Sequence, residues 1–92
     1  METREQGSAI CCSKTKCVLG KKSTGTRTRV LVSLNCPKDM KPIGTHHTHP
    51  GGRAELSSAD IINLRKAGLS IGCVTGKQGT KCYKIKSKSI KA

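Results

Sequence analysis

Residues 43–60, Ile-Gly-Thr-His-His-Thr-His-Pro-Gly-Gly-Arg-Ala-Glu-Leu-Ser-Ser-Ala-Asp, constrain this chain more than any other stretch, and they hold all three of its histidines. On a β-strand, side chains two apart project from the same face. His47 and His49 therefore converge on one point, and His46 turns to the opposite face as a packing or surface residue. Asp60 follows after a loop, with Ser57 three positions before it. Two imidazoles and a carboxylate are a donor set that holds zinc with a fourth position open to water, the arrangement of catalytic rather than structural zinc. Ser57 and Asp60 carry a second reading, because Ser-x-x-Asp at a helix start resembles a capping box. On the residues alone both readings stand.

A chain of 92 residues makes one small domain with a single core. It has no Phe, no Trp and one Tyr, Tyr83, so Ile, Val, Leu and Cys must fill that core. This favours aliphatic strands with a helix packed on them over a helical bundle. Lys and Arg outnumber Asp and Glu by 18 to 5, a formal charge of +13, which attracts acidic proteins or nucleic acid. The missing aromatic rings weigh against single-strand nucleic-acid binding, which stacks bases on such rings.

No apolar run approaches the ~18 residues of a membrane span, and the N-terminus lacks a signal-peptide pattern. A cytoplasmic location is expected, where cysteines are usually reduced and buried or metal-bound, and their number alone decides nothing. Cys11, Cys12, Cys17 and Cys36 lack the paired C-x-x-C spacing of a structural zinc ribbon.

Along the chain, Gly7–Cys12 reads as an inner strand that can pair with Cys17–Leu19. Gly20–Gly25 reads as a loop, Thr26–Leu34 as a β-rich strand and Lys41–His49 as the strand carrying the histidines. Ser57 opens a helix with Ala59, Ile61, Ile62, Leu64 and Ala67 as its apolar face, and Gly68 stops it. Leu69–Thr75 and Thr80–Lys88 form a hairpin around Gly76–Gly79. That register sets Cys73 opposite Cys82, either as a cross-strand disulfide or, the expected state in a cytoplasm, as two reduced packing residues. Residues 87–92 form a basic tail beyond a single domain of residues 1–86.

Gly44-Thr45-His46-His47-Thr48-His49-Pro50, followed by Ser57-x-x-Asp60, resembles the signature of the JAMM (MPN-plus, JAB) zinc metallopeptidases. The likeness extends from Glu5 to about Ile85, as in small archaeal-type members, and is weak from Thr15 to Asp39. It implies an α/β (α+β) domain of the cytidine-deaminase-like kind: a mixed, curved sheet with a helix after the His-x-His strand. The strand and helix that normally precede the family's upstream glutamate would be shortened or missing ahead of Glu5, either because the domain is minimal or because its start lies further upstream.

The resemblance also implies one zinc ion, held by His47, His49 and Asp60. Glu5, set in Glu5-Gln6-Gly7-Ser8-Ala9-Ile10, would be the proton-transferring base, and Ser57 the oxyanion donor. The implied activity is hydrolysis of a peptide or isopeptide bond, with a ubiquitin-like conjugate as the protein substrate, an acidic one suiting the positive charge of the chain. Two alternatives stand beside it: a non-catalytic MPN-type binding scaffold, and a basic nucleic-acid-binding protein that carries a zinc site.

Overall fold

The computed structural model describes residues 4–26 and 30–85. Seven elements follow one another: β1 (Gln6–Cys12), β2 (Cys17–Leu19), β3 (Ser23–Thr24), β4 (Lys41–Thr48), α1 (Ser58–Lys66), β5 (Ile71–Gly76) and β6 (Gly79–Lys84). The strands form one mixed sheet in the order β2-β1-β4-β5-β6, with β3 also paired to β1. Among the described residues only β4 and β5 run parallel, joined by α1 as the crossover, and every other pairing is antiparallel. The result is a mixed α/β fold, as the sequence leads one to expect.

Local chemistry accounts for α1. Ser57 caps it, accepting from the Asp60 N–H, while the Asp60 carboxylate accepts from the Ser57 N–H, so two donors at the helix start are satisfied. Asp60 in the first turn and Arg65 and Lys66 in the last complement the helix dipole. At the other end Gly68 takes φ +73°. Its N–H bonds Arg65 O, and the Leu69 N–H bonds Leu64 O, the paired bonds of a Schellman stop. Leu64 and Leu69 then meet in the core with Ile85, flanked by Leu56, Ile61 and Tyr83.

The apolar face of α1 is narrower than its composition suggests. Ile62 is half exposed, and Ala59 and Ala67 face solvent. Only Ile61 and Leu64, one helical turn apart, reach the core, because Ile62 projects from the opposite side of the helix to Leu64.

Among the described residues of the expected Thr26–Leu34 strand, no strand forms. Residues 30–40 carry no strand, and 27–29 lie outside the described residues. The first strand already has both edges filled, by β4 on one side and by β2 and β3 on the other, so the segment finds no edge to pair with there. It packs through side chains instead: Val32 and Val30 close over the face of Gly7. The short β3 forms within what reads as the Gly20–Gly25 loop. The turn between β5 and β6 is also tighter than four residues, since Gly76 pairs with Gly79 and leaves Lys77 and Gln78 as the loop.

The cysteines differ most from expectation. All six are bridged, as Cys11–Cys36, Cys12–Cys17 and Cys73–Cys82. The last two pairs stand directly opposite each other in antiparallel register, so pairing of the strands brings the sulfurs together. Cys11–Cys36 pins the irregular segment to β1. Among the described residues no helix is long and apolar enough to cross a membrane. The basic tail at 87–92 and the end of the expected last strand, residues 86–88, lie outside the described residues.

Candidate metal centre

Three parts of the chain meet at one end of the β1–β4 pair. His47 is the residue of β4 that pairs with Gly7 of β1, and Glu5 stands two residues before Gly7. Side chains at this spacing share a face, so the Glu5 carboxylate comes to the side of the sheet that carries His47. His49, one residue past the end of β4, follows on the same side. Asp60 reaches the pair from the first turn of α1.

The side-chain donor atoms lie close together. Nε2 of His47 and Nε2 of His49 lie 2.9 Å apart. Asp60 Oδ2 is 3.4 Å from the first and 3.8 Å from the second. The ligand atoms of Glu5, His47 and His49 all fall within 4.8 Å of one another, so these three residues could hold a metal ion. Of the expected metal ligands, His47, His49 and Asp60 are thus together, and the expected base, Glu5, is close enough to the histidines to be a ligand itself.

The fit to a cation can be judged from the donor chemistry. His49 Nδ1 is 3.1 Å from the carbonyl of Arg53, which can only accept, so Nδ1 carries a hydrogen. In neutral His49 this leaves the lone pair on Nε2, the atom that faces His47 and Asp60. Burial pushes the His47 pKa down; Asp60 opposes the shift and His49 adds to it. Two imidazoles with carboxylates beside them suit zinc or a similar borderline cation.

Glu5 is buried and firmly held. Its N–H bonds Thr26 O at 2.7 Å, its carbonyl accepts from the Gly25 N–H at 2.8 Å, and the next N–H, of Gln6, bonds Thr48 Oγ1 at 3.0 Å. Burial raises its pKa; nearby His49 lowers it and Asp60 raises it further.

Ser57 is exposed, with its hydroxyl accepting from the Asp60 N–H at 3.1 Å. Both bonds of the capping box form, and the same Oδ2 of Asp60 that accepts from Ser57 faces the histidines. Capping and the histidine cluster therefore share one oxygen. His46 lies on the other face, where its Nε2 is 2.8 Å from Thr75 Oγ1, and burial lowers its pKa. Arg53 and Glu55 pair across 3.8 Å in solvent.

Glu5, His47, Ser57 and Asp60 line a cleft of about 660 Å³, with Val30, Leu31, Val32 and Leu34 among its apolar wall residues. That wall is the segment expected as a strand, and its part in the site has no motif to announce it. The role of the Arg53 carbonyl is equally silent in the sequence, since every residue type supplies a carbonyl.

No family model matches the chain, and no curated protein matches it significantly. Among solved structures it is similar to a JAB1/MPN domain protein from Archaeoglobus fulgidus, with a TM-score of 0.58 and 22% identity over 95% of this chain and 76% of that one. The fold is that of an MPN/JAB domain: a mixed sheet with α1 crossing between its parallel strands.

Proposed function

We propose that this protein is a zinc-dependent metallopeptidase that hydrolyses a peptide or isopeptide bond and releases a ubiquitin-like modifier from a conjugate. One observation supports this above the rest: two imidazoles and two carboxylates, from the start of β1, the end of β4 and the first turn of α1, meet beside a cleft. His47, His49 and Asp60 would hold the metal. When bound, zinc would supply Lewis acidity and acidify water at neutral pH.

Glu5 has the character of the proton carrier. Burial makes its carboxylate more basic, which suits a group that takes a proton from water and returns it to a leaving amine. Ser57 accepts one hydrogen bond and keeps its own hydrogen to offer a developing oxyanion. An acidic protein substrate suits the charge of +13 through electrostatic steering.

A second reading draws on the capping box. Helix capping alone explains why Ser57 and Asp60 stand where they do, which suits a non-catalytic MPN-type scaffold.

Metal analysis of the purified protein, paired with cleavage of a ubiquitin-like fusion, separates the two. The peptidase reading expects one zinc per chain, cleavage by the wild type, and a Glu5→Gln variant that keeps its zinc and loses turnover. Zinc-loaded wild type that cleaves nothing leaves the scaffold.

A further inference from the structure

The loop after β4 governs His49 from behind. The Arg53 carbonyl fixes the hydrogen on Nδ1 of His49. With both rings neutral and metal-free, the 2.9 Å contact between the two Nε2 atoms is then made by His47 donating from its own Nε2. The carbonyl that sets this pattern belongs to the backbone, so its aim depends on what holds residues 52–54.

The β5–β6 hairpin holds them. Lys77 N–H bonds Gly52 O at 2.9 Å, and Gly52 N–H bonds His49 O at 2.9 Å. The Tyr83 hydroxyl donates to Ala54 O at 2.7 Å, and Ala54 is buried. Gly76 lies directly beneath: a Cβ there would sit 2.5 Å from Gly52 O and 2.7 Å from both Arg53 C and Ala54 N. Only a residue without a side chain lets the loop come this close.

We propose that Tyr83 and Gly76 are positioning residues for the metal centre. By seating residues 52–54 on the hairpin they aim the Arg53 carbonyl at His49 Nδ1, and so keep the Nε2 lone pair of His49 facing His47 and Asp60. The bearing on metal affinity rests on the reading of His49 as a ligand; the tautomer does not.

The test uses the full chain in two forms. In metal-free protein at about pH 8, above the usual histidine range, the ¹⁵N shifts of the His49 ring report its tautomer. In parallel, zinc alone is titrated against a chromophoric chelator. Tyr83→Phe keeps the ring that packs beside Leu64, Leu69 and Ile85 and removes only the hydroxyl.

Wild-type His49 should be in the Nδ1–H form. In Tyr83→Phe it should populate both tautomers, and zinc affinity should fall on the order of tenfold, as for other outer-shell partners of ligating histidines. Gly76→Ala should have the larger effect, and if it fails to fold, Tyr83→Phe decides. The inference is overturned if wild-type His49 carries its hydrogen on Nε2, or if Tyr83→Phe leaves the tautomer unchanged. It is also overturned if the wild type binds zinc and Tyr83→Phe binds it equally well. A wild type that binds no zinc, together with a tautomer shift in Tyr83→Phe, supports the positioning role and removes the ligand reading instead.

Discussion

At the scale of single residues, the centre sets two kinds of titrating group against each other. Burial raises the pKa of Glu5 above the ordinary 4.5 and lowers those of His46 and His47 below 6.5. Between 4.5 and its raised value, Glu5 holds more proton in the folded chain than in the unfolded one, so its contribution to stability falls as pH rises. The histidines act in the opposite sense. As pH drops below 6.5 the unfolded chain takes up protons first, and stability is lost on the acid side. In chelator-treated protein the buried Glu5 carboxylate is therefore one group that opposes folding as pH rises. Glu5→Gln should melt at a higher temperature than wild type at neutral pH, with the gain shrinking as pH falls toward 4.5. Melting curves across that range check this, and a gain that does not change with pH would discard it. The shared face of His47 and His49 is legible in the sequence because it follows from a two-residue repeat. The place of Asp60 beside them is implied only by the match of the whole spacing to the family signature, since a helix cap alone explains an acid there. That the Glu5 carboxylate comes within ligand distance of both histidines is not legible, because it depends on the register between β1 and β4.

At the scale of elements, regular patterns were legible and irregular ones were not. Strand β4, the helix from its Ser57 cap to its Gly68 stop, and the β5–β6 register all follow from local chemistry that acts within a few residues. The alternating run after Gly25 has the composition of a strand, but pairing needs a partner edge, and the edges of β1 are occupied. Composition cannot report that. The same helix start raises a question only mutation can divide, since Ser57 both caps α1 and lines the cleft. Ser57→Ala removes the cap acceptor and should cost about 1 kcal/mol of stability. Ser57→Asp restores a good cap but offers no hydroxyl hydrogen at neutral pH. If Ser57 stabilises an oxyanion, Ser57→Asp should unfold like the wild type in urea and yet lose cleavage. An active Ser57→Asp would reduce the residue to a cap.

At the scale of the whole molecule, the core is thin. Its fully buried side chains are small, Val74 and Cys11 being the largest, and Leu31 lies almost wholly exposed. A domain below about 100 residues that buries no large aromatic ring has little hydrophobic stabilisation in reserve, and cross-links are a common supplement. Here two of the bridges reinforce paired edge strands and the third holds a segment that no strand pairing restrains. Cys12–Cys17 closes the β1–β2 turn, Cys73–Cys82 ties edge strand β6 to β5, and Cys11–Cys36 fastens the strandless wall of the cleft. The last closes the longest loop, with a sequence separation of 25. Chain-entropy arguments assign such a loop roughly 3–4 kcal/mol of stabilisation. It also fixes Val30, Val32 and Leu34 beside Glu5 and His47, so its loss should act on the site as well as on stability. Thiol titration in denaturant should find no free thiol before reduction and six after it. Replacing Cys11 and Cys36 together with Ala should lower the free energy of unfolding by roughly that 3–4 kcal/mol and increase amide exchange around Gly7, which Val32 covers. Six free thiols in the unreduced native protein would remove the bridges, and with them the account of how so small a core holds this cleft in place.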